Sequence, residues 1–143
     1  EALLRRVADR QEPFTVQLGE VGAFPAVASP RVIWVGCAKG REPLTRMAEG
    51  IEQEASALAL RGEDQLFSAH VTLGRVRAPK HRHAVTQRLG ETAWQPPAPW
   101  RVTSITLYQS LLRSSGPSYV VLADLPLKGI ASASPGRSGP PAI

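Results

Sequence analysis

From Phe67 to Gly74 the chain alternates without a break. Phe67, Ala69, Val71 and Leu73 take the odd positions, and Ser68, His70, Thr72 and Gly74 the even ones. Successive side chains of a strand point to opposite faces, so the spacing predicts a β-strand over residues 67–76 with one apolar and one polar face. The apolar face is expected to pack on the core. The other offers a hydroxyl, an imidazole and a second hydroxyl in a row, where a merely solvated strand ordinarily carries long charged groups. It reads as the floor of an anion site.

The surrounding pattern says what such a strand packs with. Residues 2–11 follow the helical period and stop before Pro13. Phe14, Val16 and Leu18 alternate as a strand, Gly19 to Pro30 reads as a loop, and Arg31 to Cys37 (RVIWVGC) is β-branched and aromatic throughout. Leu44, Met47, Ala48, Ile51, Ala55 and Leu58 recur at threes and fours, predicting a helix over 42–61 with Pro43 in its first turn and Gly62 as its cap. A shorter helix is expected from Pro79 to Gly90. Strands follow at Arg101 to Leu111 and Ser118 to Asp124, joined by the turn sequence RSSGP at Arg113 to Pro117. The fold class expected is α+β, an antiparallel-rich sheet with helices packed on one face. Residues 1–128 form the predicted domain, and the stretch GIASASPGRSGPPAI, residues 129–143, is expected to be disordered because it has almost nothing to bury. Trp34 and Cys37, inside an apolar strand, are expected in the core.

Cys37 is the single cysteine, so no internal disulfide can form, which fits a reducing compartment and points to the cytoplasm. No apolar run approaches the roughly 20 residues of a spanning helix, so no membrane partner is expected. Charge is unevenly spread: residues 65–123 carry seven basic side chains against Glu91 alone, and arginine supplies 14 of the 17 basic residues. The planar fork of arginine suits phosphate, so the second half of the chain favours an anionic partner.

His70 and Thr72 share a strand face roughly 6.5–7 Å apart, the scale of one phosphate group. An imidazole, with its ordinary pKa of about 6.5, exchanges protons near neutrality, and a threonine hydroxyl donates to a phosphate oxygen. Arg75 has the wrong parity for that face, and a bulge at Gly74 is the device that would re-aim it. Ser68 lacks the setting of a nucleophile. His81 and His83 have no cysteine or carboxylate nearby to complete a tetrahedral set, so no metal is expected.

The segment HVTLGR, residues 70–75, resembles the HxTxxR motif of the two-histidine phosphoesterase superfamily, specifically the bacterial and archaeal RNA 2′,3′-cyclic phosphodiesterases, historically called 2′-5′ RNA ligases. PRVIWVG at Pro30 to Gly36, FSAHVTLGRVR at Phe67 to Arg77 and ITLYQSLLRSSGPSYVVL at Ile105 to Leu122 match the family in order and spacing, over residues 1 to about 128. Ala69 departs from it, since the family usually has proline there. The resemblance implies a two-lobed pseudo-symmetric fold, monomeric, without cofactor. It implies opening of 2′,3′-cyclic phosphate RNA ends to 2′-phosphates, tRNA fragments included, and in some members the reverse 2′-5′ joining. It implies that His70 is the general base and Thr72 a phosphate contact, with Arg75, Ser68, Arg77, Tyr108 and Tyr119 as substrate-binding residues. The family carries two HxT motifs and this sequence has one, so the resemblance implies a first motif upstream of Glu1 and a chain that by itself turns over poorly. Two other readings stay open: a non-catalytic basic RNA-binding module or degenerate homologue, and a phosphodiesterase for cyclic mononucleotides.

Overall fold

The computed structural model describes residues 1–60, 66–114 and 116–129. In chain order its elements are α1 (Ala2–Arg10), β1 (Phe14–Phe24), β2 (Val32–Lys39), α2 (Arg41–Ala57), β3 (His70–Arg75), a 3-10 turn (Pro79–His81), α3 (Arg82–Glu91), β4 (Trp100–Val102), β5 (Ser104–Arg113) and β6 (Gly116–Pro126). The strands form an antiparallel four-stranded sheet ordered β3-β2-β1-β4 and a separate hairpin of β5 and β6. Helices and antiparallel sheets in one chain give the α+β class that the sequence implies.

One core lies under α1. Leu4 and Ala8, one helical turn apart, bury against Leu125 and Leu127, with Met47 and Ile51 of α2 and Ile105 and Leu107 of β5 packed around them. Leu125 keeps only 2% of its surface exposed, and burial on that scale stabilises by about 1.5–3 kcal/mol. The two helices approach closely where α2 has Gly50, above which Val7 sits. Their crossing is tied by Glu54, whose carboxylate meets Arg6 at 2.7 Å and Arg10 at 3.2 Å. A second, smaller core joins Val16, Cys37 and Ala69 with Leu44 of α2, which fixes the start of that helix over the four-stranded sheet.

Several boundaries differ from the sequence reading. β1 runs on to Phe24 through the segment expected to be a loop, because Val21 to Phe24 pair with Val32 to Val35. That pairing overrides the glycines at 19 and 22. The strand carrying His70 starts at His70 itself, so Phe67, Ser68 and Ala69 lie outside it. Its expected apolar face is only partly covered: Ala69 is buried, whereas Val71 and Leu73 remain 51% and 54% exposed. Among the described residues β3 is an edge strand with one neighbour, and alternation alone does not say whether a second layer covers its far side. α2 ends at Ala57, and the expected cap at Gly62 lies outside the described residues. The strand expected from Arg101 is split at Thr103 between β4, which joins β1, and β5, which joins the hairpin. Of the expected tail, Gly129 is held by a hydrogen bond from its backbone N–H to the Gln11 carbonyl, and residues 130–143 lie outside the described residues.

Candidate active site

The site is built on the β2–β3 ladder. Gly36 pairs with His70 and Trp34 with Thr72, after which the register shifts so that Ile33 pairs with Gly74 and Val32 with Arg75. Paired residues of an antiparallel ladder share a face, so His70 and Thr72 stand on the face of Trp34. The shift leaves Leu73 as the extra residue on β3. Such a bulge changes the parity of everything after it, and it returns Arg75 to the face of His70 and Thr72. The irregularity sits one residue before Gly74, where the sequence suggested it. A Cβ added at Gly74 would meet no neighbour within 4 Å, so that glycine is not required by crowding at Cβ.

His70 is exposed, and its ring is fixed from below: Nδ1 lies 2.7 Å from the backbone carbonyl of Ser68. A carbonyl oxygen only accepts, so Nδ1 carries the proton in this contact and the neutral ring presents a free lone pair at Nε2. Ser68 therefore contributes its main chain, two residues before His70, and it also lines the cavity described below. This local loop is what holds the tautomer.

Aromatic rings wall the imidazole. Phe24 stands edge-on to it at 5.3 Å between centroids with planes at 86°, and Trp34 lies 6.5 Å away at 68°. A cavity of about 300 Å³ opens here, lined by Phe24, Trp34, Gly36, Phe67, Ser68, Ala69 and His70, with Glu20, Arg41 and Thr45 supplying polar groups. Arg41, the first residue of α2, donates from its guanidinium to the Cys37 carbonyl at 3.2 Å, which anchors a cation at the cavity. Thr72 and Arg75 continue the His70 face beyond that lining, both exposed. A hydroxyl, a lone-pair imidazole nitrogen and guanidinium groups along one face are a donor and acceptor set suited to an esterified phosphate.

Not every expected residue converges. Arg77 follows the end of β3, is exposed and lines no part of the cavity. Tyr108 and Tyr119 belong to the β5–β6 hairpin, pack on each other and also line no part of it. His81 and His83 fall in the 3-10 turn and α3, and among the described residues no three histidine, cysteine, aspartate or glutamate side chains form a group that could hold a metal. Trp34 corrects the expectation of a core residue: it is half-buried beside His70, because its parity on β2 opposes that of buried Val35 and Cys37. Phe24, Arg41, Thr45 and Glu20 were not signalled. The two glycines that frame Trp34, at 22 across the ladder and 36 along it, were the available clue.

Comparison with known proteins places the chain in a family. The model of the 2′-5′ RNA ligase superfamily matches residues 1–112. An RNA 2′,3′-cyclic phosphodiesterase of Aeropyrum pernix is 34% identical over 133 residues, covering 93% of this chain and 73% of that protein. One from Archaeoglobus fulgidus is 34% identical over 126 residues, covering 83% of this chain and 68% of its own length. Among solved structures, a Thermus thermophilus protein superposes with a TM-score of 0.64 at 29% identity, over 91% of this chain and 69% of that one. The Escherichia coli LigT structure, at 24% identity and a TM-score of 0.60, shares the fold.

Proposed function

The chain belongs to the 2′-5′ RNA ligase superfamily, and from that premise we propose that it forms the His70-bearing part of an RNA 2′,3′-cyclic phosphodiesterase. The supporting observation is the Ser68 carbonyl on His70 Nδ1, which leaves Nε2 ready to accept a proton. In the proposed reaction Nε2 takes a proton from water, the water oxygen bonds to phosphorus, and the bond from phosphorus to O3′ breaks. The product is a terminal 2′-phosphate. O3′ leaves with a proton from a second acid, a role for which His81 and His83 are not placed, since they line no part of the cavity. Thr72 and Arg75 donate to the non-bridging oxygens as charge builds on them. With a ribose 5′-hydroxyl in place of water, the same displacement of O3′ joins ends through a 2′-5′ linkage: the nucleophile's proton passes to Nε2, O5′ bonds to phosphorus and O3′ leaves with a proton from the second acid.

Fragments of tRNA with cyclic ends are one proposed source of substrate, the cytoplasm the proposed compartment, and one polypeptide the proposed working unit. The test is hydrolysis of an oligoribonucleotide ending in a 2′,3′-cyclic phosphate, with the product resolved as 2′- or 3′-phosphate. His70→Ala in the protein that carries this chain is expected to lower turnover about 10²–10⁴-fold without changing the thermal melt. Retained turnover, or a 3′-phosphate product, overturns the reading. Salt-sensitive RNA binding with no product would instead favour a binding module.

A further inference from the structure

The large rings beside His70 occupy an odd place. Aromatic side chains of a sheet ordinarily bury against a second layer, yet Phe24 keeps 38% of its surface exposed on the face that carries the polar row. The packing beneath Trp34 explains how its indole stays there. A Cβ at Gly22 would overlap the six-membered part of the indole, and one at Gly36 would come within 3.1 Å of Cζ3. Gly22 must lack a side chain for the ring to lie down along the strands, and Gly36 lets it do so without a tight contact. Phe24 then meets it at 5.2 Å with planes inclined by 33°. The result is an aromatic corner beside the imidazole.

We infer that Trp34 and Phe24 seat the nucleobase of the nucleotide whose phosphorus faces His70. This rests on the phosphodiesterase reading of His70 and deepens it. A nucleobase offers a flat π-face that stacks on aromatic side chains whatever its identity, so the corner holds any base and confers little sequence preference. Its catalytic consequence is positional: with the base clamped on one side, the ribose and its cyclic ester are held against Nε2 rather than sampling the open cavity.

The test compares two ligands on the chain of residues 1–143: the 2′,3′-cyclic phosphate of 2-aminopurine riboside, read by quenching of its fluorescence, and a base-free ribose 2,3-cyclic phosphate, read by calorimetry. The first is expected to bind about ten-fold tighter than the second, in keeping with stacking energies of other single-strand sites. Phe24→Leu is expected to remove about ten-fold from the first ligand and to leave the second within two-fold. Trp34→Phe keeps a ring over the two glycines and deletes an indole N–H that is buried without a partner, so it is expected to fold and to retain most of the quenching. Two results overturn the inference while leaving the phosphodiesterase reading intact: equal affinity for the two ligands in the wild type, or equal weakening of both by Phe24→Leu. If neither ligand binds and His70→Ala leaves hydrolysis unchanged in the protein that carries this chain, the phosphodiesterase reading falls and the base seat with it.

Discussion

On β3, His70 meets a backbone carbonyl at 2.7 Å and two aromatic rings, and a cavity opens beside it; on β5 and β6, Tyr108 and Tyr119 meet each other at 6.3 Å and otherwise face solvent at 53% and 64% exposure. Both regions are antiparallel strands with alternating polar and apolar residues. They differ in how far along the chain their neighbours come from. The four-stranded sheet gathers Phe24, Trp34, Arg41 and His70 from three strands and a helix, whereas the outer half of the hairpin pairs only residues close in sequence. Convergence of distant segments makes a site. A pattern along one segment shows only that a residue is available for it.

The hairpin itself divides at the same boundary, and stability should expose it. Leu125→Ala, at the root that packs on α1, is expected to cost about 2–5 kcal/mol, whereas Leu112→Ala, 88% exposed near the tip, should stay within about 0.5 kcal/mol. Urea unfolding of the two variants checks this, and equal losses would mean that the tip is packed after all. On the other sheet, Gly22→Val should cost about 1–3 kcal/mol through overlap with the Trp34 ring, while Gly74→Ala, with open space around it, should cost little. Thermal melts of the pair separate a floor shaped for the indole from a generic intolerance of β-strand glycine substitutions.

Smaller still is the edge-to-face contact of Tyr108 and Tyr119. A double-mutant cycle to leucine should return a coupling of about 0.5–1.5 kcal/mol, and zero coupling would show the pair to be incidental. The smallest effect concerns the α1–α2 crossing. Hydrogen bonding from Arg6, reinforced by its charge and by Arg10, holds the Glu54 carboxyl below the ordinary glutamate range against the opposing effect of burial. A lowered folded-state pKa contributes stability above the unfolded value and loses it as pH falls through the folded one. The wild type should therefore lose stability relative to Glu54→Gln as pH drops below the ordinary glutamate value, and parallel pH profiles of Tm would refute the contact's role.

How much of this could be read from residues alone follows from the range of the interactions. The helix at α2 and the hairpin strands are set by local periodicity and turn chemistry, and the sequence shows them. His70, Thr72 and the need to re-aim Arg75 were also visible, because parity on one strand is a local property. The extension of β1 to Phe24 was not, since cross-strand pairing with Val32 outweighs the loop-like glycines. Trp34 was misassigned for a related reason: RVIWVGC is apolar on both parities, and only the register with β1 and β3 shows that position 34 lies with His70 and position 35 with the core. Arg41 reaches the cavity through the placement of a helix start, which no spacing rule encodes.

The most direct test is the state of the neutral His70 ring, read by ¹⁵N NMR and then with an added nucleoside 2′,3′-cyclic phosphate. The neutral imidazole should be protonated at Nδ1, with a lone pair at Nε2 whose resonance moves when the cyclic phosphate binds. A proton resident on Nε2, or a ring whose signals ignore the ligand, would contradict the assignment of His70 as the base.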